Sequence, residues 1–304
     1  MLLAAGGLVA AGAALAACGT AAPPSLAPDG RIPVVAAENQ YGNVAAQVGG
    51  RYVSVISVET NPNTDPHSYE LSPAVARSIE SASVVVQNGL GYDSFMNRIE
   101  AATSRPGRRV IDVQNLLGLS GATPNPHLWY APRTMPAVAA ALASAFGAVL
   151  PARAAYFSAN ASRFVASLGP WEDALARMRA DHGGTPVAST EPVGDYMLQA
   201  AGLHDVAPFS FELAVMNGVD PAPQDLTAMA DLVEHRRIRV LVYNAQVTDP
   251  MTAGFVAQAE RAGIPVVAVY ETMPVPGYDY QKWMLAEVEA LDRAITSGTS
   301  TTRL

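Results

Sequence analysis

The sequence predicts an α/β fold of two lobes, each a parallel-rich sheet flanked by helices, joined by a long bridging helix. Short β-branched runs alternate with helix-length amphipathic segments, and this alternation occurs twice along the chain. The segment 134–181 between the two halves has helical periodicity and no convincing strand. Regular β-α alternation is typical of parallel sheets covered on both faces. A length of 304 residues also suits two lobes, since a domain has roughly 150 residues.

The first lobe is predicted over residues 32–150. Its β-branched runs are five to seven residues long, and the segments between them have the length and period of crossover helices. The predicted strands are Ile32–Ala37, Tyr52–Val58, Ser83–Gln87 and Arg109–Val113, and the predicted helices are Tyr41–Gly49, Pro73–Ala82 and Ser94–Thr103.

A linking helix is predicted over residues 151–183, with its long stretch at 152–178 bent at Pro170. The second lobe, residues 184–304, repeats the strand and helix alternation and ends in a tail, 297–304, that we expect to be frayed. Its predicted strands are Pro186–Ser189, Val240–Asn244 and Val266–Tyr270, and its predicted helices lie near Val193–Ala201, Ala222–Arg236, Met251–Ala262 and Tyr280–Ile295.

Composition excludes several classes of protein. Half of the residues are hydrophobic and 15% are charged, which excludes an intrinsically disordered chain. A single cysteine excludes an internal disulfide framework and a cysteine-based zinc finger. The formal net charge of −8 disfavours a nucleic-acid partner and makes a cation the more natural ligand.

The N-terminal segment is typical of an export signal rather than of a folded domain. Residues 1–17 carry no charge and consist mainly of Leu, Ala, Gly and Val, in a run too short and too rich in Ala and Gly for a membrane-spanning helix. Leu15-Ala16-Ala17-Cys18 matches a bacterial lipobox, so we expect a signal peptide over 1–18 and a lipid on Cys18. Residues 19–31 then form a flexible tether to the outer face of the cell membrane.

Four polar residues follow predicted strands, where ligands bind in open α/β sheets. His67 and His127 each follow a proline, in Asp65-Pro-His67 and Asn125-Pro-His127, and each leads into a helix. Glu191 directly follows a strand of the second lobe, and Asp279 opens the last helix.

Taken singly, each of these residues has a structural explanation, such as a helix cap for Asp279 or a helix N-terminus for Glu191. Taken together, two imidazoles from one lobe and two carboxylates from the other predict a four-ligand cage for a divalent cation between the lobes. The other histidines lie in polar stretches without a neighbouring proline and are expected at the surface: His182, His204 and His235.

Five short motifs resemble the zinc/manganese ABC-transporter solute-binding proteins, the TroA-like cluster A-I family, and the likeness runs from about residue 34 to 295. The family fold is two α/β lobes joined by one long helix, and its members are secreted or lipid-anchored. The motifs are Asp65-Pro-His67-Ser-Tyr-Glu, Gln87-Asn-Gly-Leu-Gly-Tyr, Asn125-Pro-His127-Leu-Trp, Thr190-Glu-Pro and Tyr278-Asp279-Tyr-Gln-Lys-Trp.

The resemblance implies that His67, His127, Glu191 and Asp279 bind one metal ion, with Glu271 and Glu38 as reserve candidates for the fourth position. It also implies a monomer that delivers the ion to an ABC-transporter permease and its ATPase subunit. Glu191 stands where many zinc-binding relatives have a third histidine and where manganese or iron relatives have glutamate. A mixed set of imidazole and carboxylate ligands suits Mn²⁺ or Fe²⁺ and accepts Zn²⁺, so manganese is slightly favoured.

Two other classes of function use the same features. A secreted metallohydrolase could hold an activated water on a His/His/Glu/Asp site. However, the sequence contains no His-Glu-x-x-His, Gly-x-Ser-x-Gly or phosphate-binding glycine motif. A binding protein for an organic solute could use aromatic stacking surfaces, the candidates being Tyr41, Trp129, Tyr130 and Trp283.

Overall fold

The computed structural model describes residues 26–61, 72–103, 105–247, 249–274 and 276–304. It confirms the predicted α/β fold of two lobes, each with a four-stranded parallel sheet covered by helices. Within these residues, no helix has both the length and the hydropathy needed to cross a membrane. The lipobox cysteine, Cys18, lies outside the described residues.

The sheet of the first lobe has the strand order β2-β1-β3-β4, and all of its pairs are parallel. Strands β1 and β3 are buried almost throughout, because helices cover both faces of the sheet. The strands are β1 (Ile32–Glu38), β2 (Val53–Glu59), β3 (Val84–Gln87) and β4 (Arg109–Asp112). The helices are α1 (Asn39–Gly49), α2 (Pro73–Ser81), α3 (Ser94–Ala102), α4 (Val113–Leu116) and α5 (Thr134–Val149).

The predicted linking segment is a long bent helix. Helix α6 (Ala154–Ser167) is followed by Leu168, whose backbone is itself right-handed helical, and then by α7 (Gly169–His182). The break falls next to Pro170, which lacks the N–H group that would continue the hydrogen-bond ladder. Trp171 and Leu168 are buried at this bend and anchor it in the core.

The second lobe repeats the parallel arrangement, with the strand order β6-β5-β7-β8. Helix α11 illustrates how local sequence sets its ends. Asp249 caps the first turn by accepting from the backbone N–H groups of Met251 and Thr252, and Gly263 ends the helix at φ 71°. The strands are β5 (Pro186–Ser189), β6 (His204–Asp205), β7 (Leu241–Asn244) and β8 (Val266–Val269). The helices are α8 (Asp195–Ala200), α9 (Phe209–Met216), α10 (Pro223–Glu234), α11 (Pro250–Ala262) and α12 (Tyr280–Ser297).

Three features of the second lobe differ from the expectations. Strand β6 has only two residues, too few for an alternation pattern to be visible in the sequence. Helix α9 is apolar on most sides and therefore lacks an amphipathic pattern. The expected fraying of 297–304 is wrong, because Thr301 forms a bridge with Val267 and the N–H of Leu304 donates to the Tyr270 hydroxyl.

The two lobes share one continuous hydrophobic core. Helix α12 packs against α7 and contacts α1 of the first lobe. On its buried face, Glu287 accepts hydrogen bonds at Oε1 from the Tyr130 hydroxyl at 3.0 Å and from the Trp283 indole N–H at 2.6 Å. Burial raises the pKa of Glu287 to about 8, because the desolvation of the carboxylate outweighs the hydrogen bonds that it accepts.

We expect Glu287→Gln to remove part of the pH dependence of folding stability. The folded state holds the Glu287 proton more tightly than the unfolded state, whose pKa is near the ordinary 4.5. This contribution to stability is therefore complete below about pH 4.5 and is lost as the pH rises through 8. Urea unfolding should show the wild type losing about 2–4 kcal/mol more than the variant between pH 5 and 8.5.

The matched control is Glu289→Gln, which neutralises an exposed glutamate of the same helix. It should leave the pH dependence as it is in the wild type. Parallel stability curves for wild type and Glu287→Gln would show that Glu287 does not hold a proton in the folded protein.

Candidate metal centre

The His127 side chain is held by the asparagine two residues before it. Asn125 Oδ1 accepts from the His127 backbone N–H at 2.9 Å and lies 2.8 Å from His127 Nδ1. The other end of this amide donates from Nδ2 to the Pro192 carbonyl at 2.6 Å, which fixes the orientation of the amide. Because Oδ1 can only accept, the hydrogen of the neutral imidazole resides on Nδ1. Nε2 therefore presents its lone pair.

That lone pair points at a carboxylate of the opposite lobe. His127 Nε2 lies 3.3 Å from Glu271 Oε2, and both side chains are fully buried. Glu271 Oε2 also accepts a hydrogen bond of 2.9 Å from the Tyr92 hydroxyl. Two electron-pair donors facing each other in a buried place are stabilised by a positive charge between them. Atoms bound to one ion through bonds of about 2.1 Å lie about 3.0–3.4 Å apart, which matches this spacing.

Three neighbouring strands of the second lobe deliver the polar groups of this cluster at their carboxyl ends. Glu191 follows β5, Asn244 ends β7 and Glu271 follows β8. The Asn244 amide donates from Nδ2 to Glu271 Oε1 at 2.7 Å and to Glu191 Oε2 at 3.3 Å. Asn244 thus holds the two buried carboxyl groups side by side through a neutral donor, which adds no compensating charge.

The backbone around Glu271 is fixed from both lobes. Gln246 Oε1 accepts from the backbone N–H groups of Glu271 and Thr272, each at 2.7 Å. Gln40 of α1 donates to the Glu271 carbonyl at 3.2 Å, and Asn39 exchanges two hydrogen bonds with the Met273 backbone at 2.8 and 2.9 Å. These contacts from α1 position the Glu271 carboxylate at the boundary between the lobes.

Tyr92 reaches Glu271 from a tightly wound loop after β3. Gly89, Leu90 and Gly91 all have positive φ, between 55° and 83°. The Asp93 carboxylate stabilises this loop by accepting from the N–H groups of Asn88 at 2.6 Å and Gly89 at 3.0 Å. A side chain at Gly89 would also lie 2.7 Å from Gln114 Cβ, so both conformation and space require glycine there.

Two further glutamates lie at the carboxyl edge of the first sheet. Glu38 and Glu59 pair in register at the ends of β1 and β2, and both are buried. Burial, and then the charges of Asp93 and Glu59, raise the pKa of Glu38 well above its ordinary value. Burial also raises the pKa of Tyr92, with further contributions from Glu271, Glu59 and Glu38. This edge of the first sheet therefore brings together carboxyl groups that are unfavourable to ionise at the same time.

The structure brings some of the predicted metal ligands together and places another at a helix end. His127, Glu191 and the reserve candidate Glu271 come together, whereas His67 lies outside the described residues. Asp279 caps α12: its Oδ1 accepts from the Lys282 N–H at 2.9 Å and its Oδ2 pairs with Lys282 Nζ at 2.9 Å. Asp279 is thus engaged at a helix end by a cation of its own turn.

The remaining histidines are bound elsewhere or exposed. His182 pairs with Asp292 at 3.5 Å and His235 with Asp231 at 2.9 Å, while His204 is exposed in β6. The aromatic residues proposed as stacking surfaces, including Trp129 and Trp283, are fully buried and pack in the core.

Sequence reasoning did not assign roles to Asn125, Tyr92 and Asn244. Asn125 and Tyr92 lie in the motifs that carry the resemblance, and Asn244 is the last residue of a predicted strand. The position of Asn244 at a strand end was therefore the signal in the sequence that could have identified it. Nothing in the sequence indicates that its amide bridges two glutamates that are 80 positions apart.

Known proteins with similar sequences or structures bind metals. The chain is 24% identical over 265 residues to the manganese-binding lipoprotein MntA of Bacillus subtilis, a match that covers 82% of each chain. Its fold is similar to that of FpvC, a solute-binding protein of Pseudomonas aeruginosa solved in complex with Mn²⁺, with a TM-score of 0.72 and 22% identity. That match covers 88% of this chain and 99% of the other.

A Cd-bound periplasmic metal-binding protein of Candidatus Liberibacter asiaticus has the same fold, with a TM-score of 0.71, 17% identity and coverage of 87% and 99%. The family model described as zinc-uptake complex component A, periplasmic (ZnuA), matches residues 34–294, which include both lobes and the linking helix. The chain belongs to the ZnuA family of periplasmic metal-binding proteins.

Proposed function

We propose that this protein captures one divalent transition-metal ion between its lobes, outside the cytoplasm, and delivers it to an ABC-transporter permease for import. The observation that carries the proposal is the contact between His127 Nε2 and Glu271 Oε2 across the lobe boundary. These atoms are electron-pair donors at the spacing of two ligands on one ion. The buried Glu191, which shares the Asn244 amide with Glu271, supplies further oxygen ligands.

The proposed ligands are His67, His127, Glu191 and Glu271. Glu271 takes the place that the sequence analysis assigned to Asp279, because the Asp279 carboxylate already binds Lys282 at the start of α12. Glu271 is one of the two reserve candidates, and its carboxylate contacts His127 directly.

We propose manganese as the favoured metal, with zinc next and iron possible. Two imidazoles and two carboxylates form a mixed nitrogen and oxygen site, and carboxylates that bind through both oxygens raise the coordination number above the four that zinc prefers. The manganese-binding relative MntA and the Mn²⁺ complex of FpvC support this order.

The proposed mechanism is capture with a small closure between the lobes. The first lobe offers its histidines and the second brings Glu191 and Glu271 onto the ion. One continuous core and the linking helices α6 and α7 support a small amplitude, since a wide opening would expose buried apolar surface and break helical hydrogen bonds.

We further propose that the protein is a monomer anchored to the cell membrane by a lipid on Cys18 and that it works with a permease and its ATPase subunit. A catalytic role is not proposed, because two imidazoles and two carboxylates that bind through both oxygens would supply six ligand atoms and leave no open position for an activated water.

The central test is metal binding by the histidine variants. Protein purified without added metal should contain about one equivalent of Mn or Zn by elemental analysis, and titration calorimetry should confirm one site. His127→Ala and His67→Ala should weaken binding on the order of a hundredfold or more, since each removes a ligand. His235→Ala, at an exposed histidine, is the matched control. Equal affinity of His127→Ala and the control would exclude the site.

The fourth ligand is tested by a pair of carboxylate variants. Glu271→Gln should weaken metal binding on the order of a hundredfold, because it replaces the carboxylate that contacts His127 with a neutral amide. Asp279→Asn should bind metal as the wild type does and should keep the helix cap, since Asn caps a helix about as well as Asp, and it should lose only the ion pair with Lys282. The reverse result would return Asp279 to the ligand set.

Metal affinity should fall with acidity. An imidazole must be neutral to bind a metal, and its ordinary pKa is about 6.5, so protons compete increasingly below pH 7. We expect affinity to fall about 10–100-fold between pH 7.5 and 5.5 in calorimetric titrations. An affinity that is constant over this range would show that histidines do not bind the ion.

A further inference from the structure

A second group of carboxylates lies in the second lobe, away from the His127–Glu271 contact. Asp195 opens α8, Asp205 ends β6 and Glu212 lies within α9. One carboxylate oxygen from each of the three lies within 4.8 Å of the others. Three short segments thus bring three acids to one point.

One member of this cluster, Glu212, is withdrawn from solvent, and Asp195 and Asp205 are half-buried, which distinguishes the cluster from ordinary acidic surfaces. Glu212 is 2% exposed. Among the residues that the structure describes, no hydrogen-bond donor contacts its carboxylate, and Asp195 Oδ1 is likewise buried without a donor. Water solvates exposed acids, but a buried carboxylate without a donor needs a compensating charge or a proton.

The third acid is fixed in place by protein groups. Asp205 Oδ1 accepts from the Ala207 N–H at 2.9 Å, and Oδ2 accepts from the Ser189 hydroxyl. These contacts fix the position of the Asp205 carboxylate within the cluster. Ser189 ends β5, two residues before Glu191, so the cluster adjoins the strand that carries a proposed metal ligand.

A cavity of about 390 Å³ opens beside the cluster and gives a path for an ion and its water. Asp195 and Asp205 line this cavity, together with Asn125 and Tyr196. Tyr196, next to Asp195, donates from its hydroxyl to the Asn125 carbonyl at 2.9 Å. The cavity therefore lies against the loop that holds His127.

We propose that Asp195, Asp205 and Glu212 form a second cation site, for a hard divalent ion of the Ca²⁺ class. Its donors are carboxylate oxygens, with none of the nitrogen or sulfur that would select a softer metal. Oxygens on one Ca²⁺ are at most about 5 Å apart, since each bond is about 2.3–2.6 Å long, and the three carboxylate oxygens lie within 4.8 Å of one another. Water from the cavity would complete the six to eight oxygens that Ca²⁺ takes.

Electrostatics agree with this geometry. Burial, and then the charge of Asp205, raise the pKa of Asp195 to about 7. Burial, with the charges of Asp205 and Asp195, also raises the pKa of Glu212 far above its ordinary value. The three groups repel one another when ionised, and a divalent cation removes this repulsion.

The ion would tie α8 to β6 and α9. Because α8 follows the Thr190-Glu191-Pro192 loop, and Pro192 binds Asn125, the ion would brace the segment that carries Glu191. Calcium binding should therefore stabilise the folded protein by mass action, independently of the metal that His127 binds.

The test is calorimetric titration of the metal-free protein with Ca²⁺, combined with thermal unfolding with and without Ca²⁺. The wild type should bind one Ca²⁺ more tightly than Mg²⁺ and should unfold at a higher temperature in its presence. Glu212→Gln should weaken Ca²⁺ binding on the order of a hundredfold and abolish the shift, while Mn²⁺ binding at the His127 site persists. That persistence also shows that the variant is folded, and Asp195→Asn serves as the second variant.

Two control variants distinguish Ca²⁺ binding at this cluster from binding at the His127 site and from a general effect of surface charge. His127→Ala should lose Mn²⁺ binding and keep Ca²⁺ binding, and Asp220→Asn should match the wild type, since it removes one exposed charge elsewhere. Absence of Ca²⁺ binding in the wild type, with Glu212→Gln equally or more stable, would mean that the acids share protons and would overturn the proposal. Loss of Ca²⁺ binding in His127→Ala but not in Glu212→Gln would overturn it as well.

Discussion

Two buried electron-pair donors, His127 Nε2 and Glu271 Oε2, lie next to each other at the boundary between the lobes, and several polar side chains hold them there. Asn125 fixes the imidazole tautomer so that Nε2 of His127 faces Glu271, while Tyr92 and Asn244 hold the carboxylate from two sides. None of these neighbouring groups brings a full positive charge. The arrangement is therefore stabilised most by a cation, and a proton on the imidazole is its natural competitor.

The same constraint explains why the carboxyl edges of the sheets are arranged as they are. Parallel strands end at one edge, so β5, β7 and β8 place Glu191, Asn244 and Glu271 side by side although they are far apart in sequence. Contacts from α1 fix the backbone at Glu271 across the lobe boundary. The residues of the site therefore also form part of the interface between the lobes. A continuous hydrophobic core beneath them restricts how far the lobes can separate.

Several acidic groups of this protein lie at places that are largely withdrawn from water. Glu287 in the shared core has two neutral donors, and its raised pKa reflects the cost of keeping it charged. The cluster of Asp195, Asp205 and Glu212 has two donors, both on Asp205, for its three acids, and it opens to a cavity. The difference is physical: one acid with donors is accommodated by a proton, whereas three converging acids with access to solvent suit a metal ion.

The sequence by itself determined the alternation of strands and helices, the bent link at Pro170 and the positions of His127 and Glu191 after strands, because these depend on local periodicity and proline chemistry. Only the tertiary structure favours Glu271 over Asp279, since both follow the last strand and only packing shows which carboxylate meets His127 and which caps a helix. The sequence did not predict strand β6, helix α9 or a role for the acids they carry. A strand of two residues is too short to show an alternation of apolar and polar residues, and a helix that is apolar on most sides shows no amphipathic pattern. Local features such as strands, helices and bends depend on neighbouring residues, whereas the convergence of distant side chains at one site depends on the tertiary fold.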